Sequence, residues 1–287
     1  MNRQIKCELY NDNYCNWKKY AIPKAQLVIA DIPYNIGTNF YGSNPSWYIN
    51  GDRKNGESKL AGKAAFNTDF NFKIPEYFWF CNKLLKKEPK NGGARGKSSD
   101  APCMIIFCSF EQQRMVIDEA RQYGFDHYIP LVFVKNYSPQ VLKANMRICG
   151  ATEYALLLYR DRLPKFRNNG QMIFNWFEWQ KDVGIEYPKI HPAQKPVALL
   201  KRLIEIFTDP GDVVIDPCAG SGSTLRAAWE MGRNAYGFEC SKEIYNKAVT
   251  TMLKLPESRP ISINEMLASY GEMPQQMSFW GALEEVR

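Results

Sequence analysis

The sequence predicts a doubly wound α/β fold whose sheet is mostly parallel. Short apolar runs typical of buried strands alternate along the chain with segments of helical spacing. Such alternation is typical of a parallel sheet covered by helices on both faces. One apolar run, residues 213–215, leads through a glycine-rich turn into a helix, an arrangement typical of ligand-binding α/β folds.

Seven strands and five helices are predicted in chain order. The strands are placed at residues 7–10, 27–30, 103–108, 129–134, 154–159, 213–215 and 236–239. The helices are placed at residues 75–87, 111–123, 196–207, 223–231 and 241–253. Proline near the start marks two of the helices, Gly124 and Gly232 end two others, and Ser241 caps the last one.

Two segments break this pattern, and they define the expected domain organisation. Residues 35–72 are rich in Gly, Asn, Ser and Lys, which predicts a long inserted loop. Residues 160–187 mix basic with aromatic side chains. We expect one main domain over residues 1–255 and a C-terminal extension over residues 256–287.

The composition restricts the class of protein. The chain has 287 residues, a net charge of +7 and a hydrophobic content of 45%, so it is compatible with a large core and with a polyanionic partner. It has no apolar run of membrane-spanning length, and its start shows no signal peptide, which predicts a cytoplasmic protein away from membranes. Eight cysteines without a CxxC pair and only two histidines predict reduced thiols and no metal site.

The tetrapeptide Asp31-Ile32-Pro33-Tyr34 follows the predicted strand at residues 27–30. Ligands of open α/β sheets bind at the carboxyl ends of strands, so these side chains are expected to face a ligand. The carboxylate of Asp31 and a backbone carbonyl can accept hydrogen bonds from an amine, while Tyr34 can stack on a planar ring. This grouping favours the binding of an amine-bearing ring.

A second signal lies far downstream, in the turn at residues 216–224. Gly220 and Gly222 allow a ligand to approach the backbone at the start of a helix, and Glu239 ends the next strand, where a carboxylate suits ribose hydroxyls. An ordinary tight turn is the alternative. A nicotinamide dinucleotide is disfavoured because Leu225 replaces the third glycine of the GxGxxG pattern.

These motifs resemble those of a known family. Residues 213–224 are similar to the S-adenosylmethionine loop of amino-methyltransferases, and residues 31–34 resemble their catalytic (D/N/S)PP(Y/F) motif. The sequence HPAQKP at residues 191–196 is similar to the HPTQKP-type segment that precedes the cofactor loop. The order of the three motifs resembles that of the β-class, or permuted, DNA amino-methyltransferases over residues 7–253. Ile32 in place of the first proline and Cys218 in place of the usual phenylalanine depart from the pattern.

The resemblance implies a Rossmann-like class I methyltransferase fold and a mechanism. An adenine flipped out of the duplex would enter the pocket. Asp31 and the carbonyl of Ile32 would accept its amine N–H groups, Pro33 would stiffen the loop and Tyr34 would stack on the base. Ile32 keeps the carbonyl that this chemistry needs.

The resemblance also implies S-adenosylmethionine as the cofactor and a set of residues around it. These are Asp12, Gln194, Lys195, Asp216, Cys218, Ala219, Gly220, Gly222, Ser223, Thr224, Phe238, Glu239 and Cys240. Lys195 would pair with the carboxylate of the cofactor or lie in the first turn of a helix. For Asp12, an Asx-turn is an equally weighted alternative.

The target-recognition region of the family corresponds to residues 160–188. Lys165, Arg167 and Asn169 are the candidates there for contacts with phosphates or base edges of DNA. The aromatic residues of this region are more often used for packing than for base recognition.

The sequence thus predicts a site-specific DNA methyltransferase that acts on the N6 amine of adenine in double-stranded DNA. A cytosine-N4 enzyme and a catalytically silent nucleic-acid-binding module on the same fold are the alternatives. The recognition sequence, a homodimer, a cognate restriction nuclease, an orphan or phage origin and the role of the C-terminal extension stay open.

Overall fold

The computed structural model describes residues 5–33, 72–90, 100–137, 140–143, 148–182, 186–191 and 193–254. All the described strands and helices belong to one compact unit, Met1–Leu253. Tyr34, almost all of the predicted loop at residues 35–72 and the extension at residues 256–287 lie outside the described residues. None of the helices in the described ranges is long and apolar enough to cross a membrane.

An eight-stranded sheet forms the centre of the unit. Its strands lie in the order β1-β10-β9-β2-β3-β7-β4-β8. In chain order the strands are β1 Cys7–Tyr10, β2 Leu27–Asp31, β3 Cys103–Cys108, β4 His127–Lys135, β5 Gln140–Lys143, β6 Ile148–Gly150, β7 Thr152–Tyr159, β8 Trp176–Trp179, β9 Val213–Asp216 and β10 Asn234–Phe238. The short strands β5 and β6 pair with each other in a separate antiparallel sheet.

Five consecutive strands of the sheet, from β1 to β3, are parallel. β7 runs antiparallel to both β3 and β4, and β8 runs parallel to β4. Because β2 and β9 are neighbours, the predicted loop after Asp31 and the glycine-rich turn after Asp216 leave the same edge of the sheet side by side. This adjacency brings together two motifs that are far apart in the sequence.

Helices cover both faces of the sheet. They are α1 Ile74–Leu84, α2 Gln113–Gln122, α3 Val197–Phe207, α4 Ser223–Glu230 and α5 Lys242–Lys247, with a 3-10 helix at Tyr14–Lys19 and a π-helix at Ala248–Met252. One apolar layer contains residues of α1 and α2, and the other contains residues of α3 and α4. The predicted doubly wound fold is confirmed, including the cap of α5, where the Ser241 hydroxyl accepts from the N–H of Ile244.

The strand β8 was not predicted, because its sequence belongs to the segment expected to be irregular. Phe177 and Trp179 point into the core, while Trp176 and Glu178 are exposed. This alternation is typical of a strand with one buried face. The aromatic residues that it buries therefore serve packing, as the sequence favoured.

Candidate active site

A cavity of about 400 Å³ opens at the carboxyl edge of the parallel strands. Asp31, Asp216 and Glu239, which end or follow β2, β9 and β10, all line it. Ligands of open α/β sheets bind at this edge, next to a point where the strand connections reverse direction. The cavity is therefore the candidate active site.

The segment after β2 is held in place by the neighbouring strand and the turn after it. The N–H of Ile32 donates to the carbonyl of Phe107 over 3.2 Å, and the Gln112 side chain donates to the carbonyl of Pro33 over 2.9 Å. The amide oxygen of Gln112 also accepts from the N–H of Ser109 over 3.1 Å. The side chain of Ile32 is buried in the core, which anchors the loop where the family motif has proline.

The glycine-rich turn is fixed between β9, β10 and α4. The N–H of Ala219 donates to the carbonyl of Phe238 over 2.9 Å. Gly220 and Gly222 have φ values of +50° and +78°, in the left-handed region that favours glycine. No side chain caps the start of α4, and Ser223 and Thr224 of its first turn line the cavity. This arrangement presents helix N–H groups to a ligand.

Gly237 of β10 lets the turn pack closely on the sheet. A Cβ atom at this position would lie 2.7 Å from Cδ1 of Leu225 and 3.0 Å from Cβ of Ala219. Real Cβ atoms essentially never approach so closely, so any larger residue would push the turn and α4 away from the sheet.

Asp216 is buried and Glu239 is partly buried, and the pKa values of both carboxyls are raised. Burial raises the pKa of Asp216 to about 7, although its carboxylate accepts from the N–H of Cys218 over 3.0 Å. Burial also raises the pKa of Glu239, which accepts from the N–H of Ser241 over 2.6 Å. Within the described part of the chain, no lysine or arginine is ion-paired with either group. A ligand that carries positive charge would relieve this cost.

Lys195 lies between two carboxylates on the other side of the cavity. Its ammonium forms a short contact with Oδ2 of Asp31 and lies 3.2 Å from Oε2 of Glu153. The expectation that Lys195 pairs with a cofactor carboxylate therefore needs correction, because protein carboxylates already hold it. Gln194 lines the cavity and also braces its own loop, where it accepts from the N–H of Ile190 and donates to the carbonyl of Pro188.

The other predicted cofactor residues divide into two groups. Those that line the cavity are Gln194, Lys195, Asp216, Cys218, Ala219, Gly220, Ser223, Thr224, Phe238, Glu239 and Cys240. Gly222 and Asp12 are not in its lining. The carboxylate of Asp12 accepts instead from the N–H of Asn13, the side chain of Asn16 and the hydroxyl of Tyr20. These local bonds favour the Asx-turn alternative, and hydrogen bonding lowers the pKa of Asp12 to about 2.

The predicted DNA contacts lie at the opposite edge of the sheet. Lys165 is buried, with its ammonium 2.7 Å from the carboxylates of Asp209 and Asp212, just before β9. Arg167 pairs with Asp209 over 2.8 Å and with Asp100 over 2.9 Å. Both side chains are thus used to attach residues 160–167 to the strand starts. These ion pairs argue against the expectation that Lys165 and Arg167 contact phosphates or base edges of DNA.

Asn169 lies in a turn with φ of +50°, next to Asn168, whose side chain donates to the carbonyl of Gln171. Asparagine tolerates this left-handed conformation better than most residues, which gives Asn169 a conformational role. The contact of Asn169 with DNA stays a prediction.

Sequence reasoning missed several residues of the site. Glu153 lines the cavity from the antiparallel strand β7, and Asn13 and Tyr14 line it from the segment after β1. A signal existed for Glu153, because it is a lone acid at the start of a strand that otherwise becomes apolar. The described residues contain no group of His, Cys, Asp and Glu that could hold a metal ion.

The sequence is similar to those of known DNA methyltransferases. A model of the N6_N4_Mtase family, described as DNA methylase, matches residues 25–250. The DNA adenine methyltransferase YhdJ of Escherichia coli is 28% identical over 84% of this chain and 80% of its own length. The type II methyltransferase M.HindIII of Haemophilus influenzae is 48% identical, but over only 22% of this chain and 20% of its own.

Two solved structures share the fold. The complex of M1.HpyAVI with SAM superposes with a TM-score of 0.59 and 24% identity, over 86% of this chain and 99% of the other. The cytosine-N4-specific PvuII DNA methyltransferase also gives 0.59, with 16% identity over 92% and 90% of the two chains. The family match spans most of the unit that holds the cavity. The chain therefore belongs to the N6_N4 family of DNA methylases.

Proposed function

We propose that this DNA methylase transfers a methyl group from S-adenosylmethionine to the exocyclic N6 amine of adenine in double-stranded DNA. The observation that carries the proposal is that Asp31 and the glycine-rich turn line the same cavity. An acceptor for the target amine and a cradle for the methyl donor must lie together for direct transfer between them.

The residues around the turn fit this cofactor. When bound, S-adenosylmethionine supplies an electrophilic methyl group on a positively charged sulfur. Asp216 is buried and Glu239 is partly buried, and neither has a cationic partner among the described residues, so they suit a ligand with ammonium and ribose groups. Gly220 lets the backbone approach the ligand, and the first turn of α4 adds N–H donors.

Asp31 and the carbonyl of Ile32 would each accept one N–H bond of the target amine. Two acceptors orient the nitrogen lone pair away from the ring and toward the methyl group, so positioning supplies most of the rate enhancement. Gln112 supports this geometry because it holds the next carbonyl, that of Pro33. The methylated ammonium is acidic and loses its proton readily, so no separate strong base is needed.

The flipped base and its stacking on Tyr34 belong to the same proposal. Extrusion of the target nucleotide is required because a base inside the duplex cannot reach an active site at the bottom of a cavity. Stacking on an aromatic side chain contributes about 1–3 kcal/mol per base.

Adenine N6 is preferred over cytosine N4 as the target. A relative that aligns over most of this chain is named a DNA adenine methyltransferase. The resemblance of residues 31–34 to the catalytic motif also favours adenine, because Asp31 supplies an acid there. The fold does not discriminate, since a cytosine-N4-specific enzyme superposes equally well. The cytosine-N4 reaction is therefore the second candidate.

Mass spectrometry of nucleosides from DNA of cells that express the protein tests the proposal. We expect N6-methyladenine with the wild type and only background with Asp31→Ala. N4-methylcytosine would support the second candidate instead. Cofactor binding without any methylated nucleoside would favour the silent nucleic-acid-binding module. Sequencing of the same DNA would reveal the recognition sequence.

A further inference from the structure

Four charged side chains, Asp31, Lys195, Glu153 and Lys135, form an ion-pair network that ends at Asp31. Lys195 contacts Asp31, and its ammonium lies 3.2 Å from Oε2 of Glu153. The other oxygen of Glu153 forms a short contact with the ammonium of Lys135. Positive and negative groups alternate along this network, so each charged group has a neighbour of opposite charge.

The ion-pair network crosses the sheet at the carboxyl edge of the parallel strands. Asp31 ends β2, Glu153 lies near the start of β7 and Lys135 ends β4, while Lys195 comes from the segment before α3. β3 separates β2 from β7, and its Phe107 ring centroid lies 5.1 Å from the ammonium of Lys195. Lys195 thus bridges over β3 and connects the two halves of the sheet.

Water is largely excluded from the two lysines, while Asp31 and Glu153 are 26% and 20% exposed. The side chains of Lys195 and Lys135 are each only 8% exposed. The ring of Trp179 covers both lysines, with its centroid 5.5 Å from the Lys195 ammonium and 4.7 Å from that of Lys135. Exclusion of water strengthens electrostatic interactions, and it also makes an unpaired charge costly.

A contribution to the stability of the folded protein does not by itself explain this ion-pair network. Buried ion pairs are often no more stabilising than apolar residues of similar volume, while the loss of one partner is strongly destabilising. Three of the four residues, Asp31, Glu153 and Lys195, line the cavity. The ion-pair network therefore borders the place where the reaction would occur.

We propose that Glu153 is a positioning residue that acts through Lys195 on Asp31. By holding one side of the Lys195 ammonium, Glu153 keeps that ammonium on Oδ2 of Asp31 and thereby fixes the orientation of the carboxylate toward the target amine. The inference rests on the proposed role of Asp31 as the acceptor of that amine. It assigns Glu153, which no sequence motif includes, to the transfer reaction.

The groups that face Lys195 determine how its charge responds to pH. Burial lowers the pKa of Lys195, but the carboxylates of Asp31 and Glu153 outweigh burial and hold it above its ordinary value. Burial and the nearby Lys195 lower the pKa of His191 to about 4, so this ring is neutral near pH 7. Burial also raises the pKa of Tyr137, another titratable side chain near Lys195.

Glu153→Gln tests the proposal because it keeps the shape of the side chain and removes its charge. Glu178→Gln on β8 is the matched control, since Glu178 is exposed and lies outside the cavity lining. For each protein we would measure the single-turnover rate of methyl transfer to DNA from pH 7 to pH 10, the cofactor dissociation constant and the unfolding transition.

We expect Glu153→Gln to lower the transfer rate at pH 8 by about tenfold or more, because small misplacements of reacting groups have effects of this size. The cofactor dissociation constant should stay within about threefold of the wild-type value. As the pH is raised, the variant should lose activity at a lower pH than the wild type does. The reason is that only Asp31 then stabilises the positive charge of Lys195. Glu178→Gln should behave as the wild type.

A folded Glu153→Gln variant with the wild-type rate and pH profile would overturn the proposal. A rate loss that is matched by weaker cofactor binding, with no change of pH profile, would also overturn it, because it would indicate a structural role. If the glutamine variant does not fold, Glu153→Asp, with a shorter reach to Lys195, should show the same rate loss and unchanged cofactor binding. Failure of the proposed function is distinguishable, since the wild type and Glu178→Gln would then be inactive as well.

Discussion

The two ends of the parallel strands carry the same kinds of charged residues but use them differently. At the amino ends, Lys165 lies 2.7 Å from both Asp209 and Asp212, and Arg167 adds a further pair with Asp209. At the carboxyl ends, Asp216 and Glu239 line the cavity, and the described residues provide no cation for them.

The pKa values of Asp209 at the amino edge and Asp216 at the carboxyl edge shift in opposite directions. Hydrogen bonds from Arg167, together with Lys165, lower the pKa of Asp209 to about 2. Burial raises the pKa of Asp216 to about 7. A carboxylate that already has protein cations beside it gains little from a positively charged ligand, whereas a buried carboxylate without a cation gains more. The comparison therefore favours Asp216, rather than Asp209, as a partner for a positively charged ligand.

The largest expected effect concerns the acid of the catalytic motif. Asp31→Ala should reduce methyl transfer by about 100-fold or more, because loss of one oriented group at a reacting centre has this magnitude. Cofactor binding should persist, since Asp31 lies on the target side of the cavity. Tritiated methyl incorporation and calorimetry on one preparation would measure both.

Asp209→Ala at the amino edge is the matched control for this experiment. It removes an acid of the same type that lies far from the cavity lining, so the folded variant should keep its specific activity. Equal losses of activity in the two variants would contradict the functional distinction between the edges.

The next effect concerns the carboxylate assigned to the cofactor ribose. Glu239→Gln should weaken cofactor binding by about 1.5–3 kcal/mol, the typical contribution of hydrogen bonds to charged groups. The fold should persist because glutamine can still accept from the N–H of Ser241. Calorimetric titration would measure the change, and an unaltered dissociation constant in a folded variant would remove Glu239 from the site.

The sequence was sufficient to place the two motifs of the cavity, Asp31 and the glycine-rich turn, at the ends of strands. Both motifs follow apolar strands, and their types and spacing are local properties that a sequence displays. The adjacency of β2 and β9 is a non-local property, and the register of Val28 with Ile215 establishes it.

The partners of individual charges were not predictable in the same way. Lys165 and Arg167 stand in a basic and aromatic segment, a pattern that equally suits DNA contacts and internal ion pairs. Only the fold reveals that Asp209 and Asp212, more than 40 residues later, lie within reach of them. Glu153 was missed for the same reason, because its partners Lys135 and Lys195 come from other elements.

The amino edge is tested by Lys165→Met, which keeps the length of the side chain and removes its charge. We expect a loss of about 1–2 kcal/mol in the free energy of unfolding, less than for a fully buried pair because Asp209 is 40% exposed. DNA affinity and its salt dependence should not change. A smaller salt dependence with unaltered stability would instead return Lys165 to the DNA interface.

The smallest effect is a pH dependence of cofactor affinity, which should arise from Asp216 at the carboxyl edge. Since the pKa of Asp216 is raised to about 7, its carboxyl is mostly protonated at pH 6 and mostly ionised at pH 8. Affinity for a positively charged cofactor should therefore rise about tenfold between these values, as expected for one titrating unit. Asp216→Asn should remove this dependence.

The same shift predicts how stability without cofactor depends on pH. The folded-state pKa of Asp216 lies above its ordinary value of 3.8, so its contribution to stability is complete below pH 3.8 and is lost as the pH rises to about 7. For Asp209 the folded-state pKa is about 2, so its contribution is complete above pH 3.8 and is lost as the pH falls through 2. Unfolding curves of Asp216→Asn and Asp209→Asn should therefore differ from the wild type in opposite pH ranges. Saturating cofactor should abolish the loss near pH 7 if its positive charge lies beside Asp216, and a loss that persists would place that charge elsewhere in the cavity.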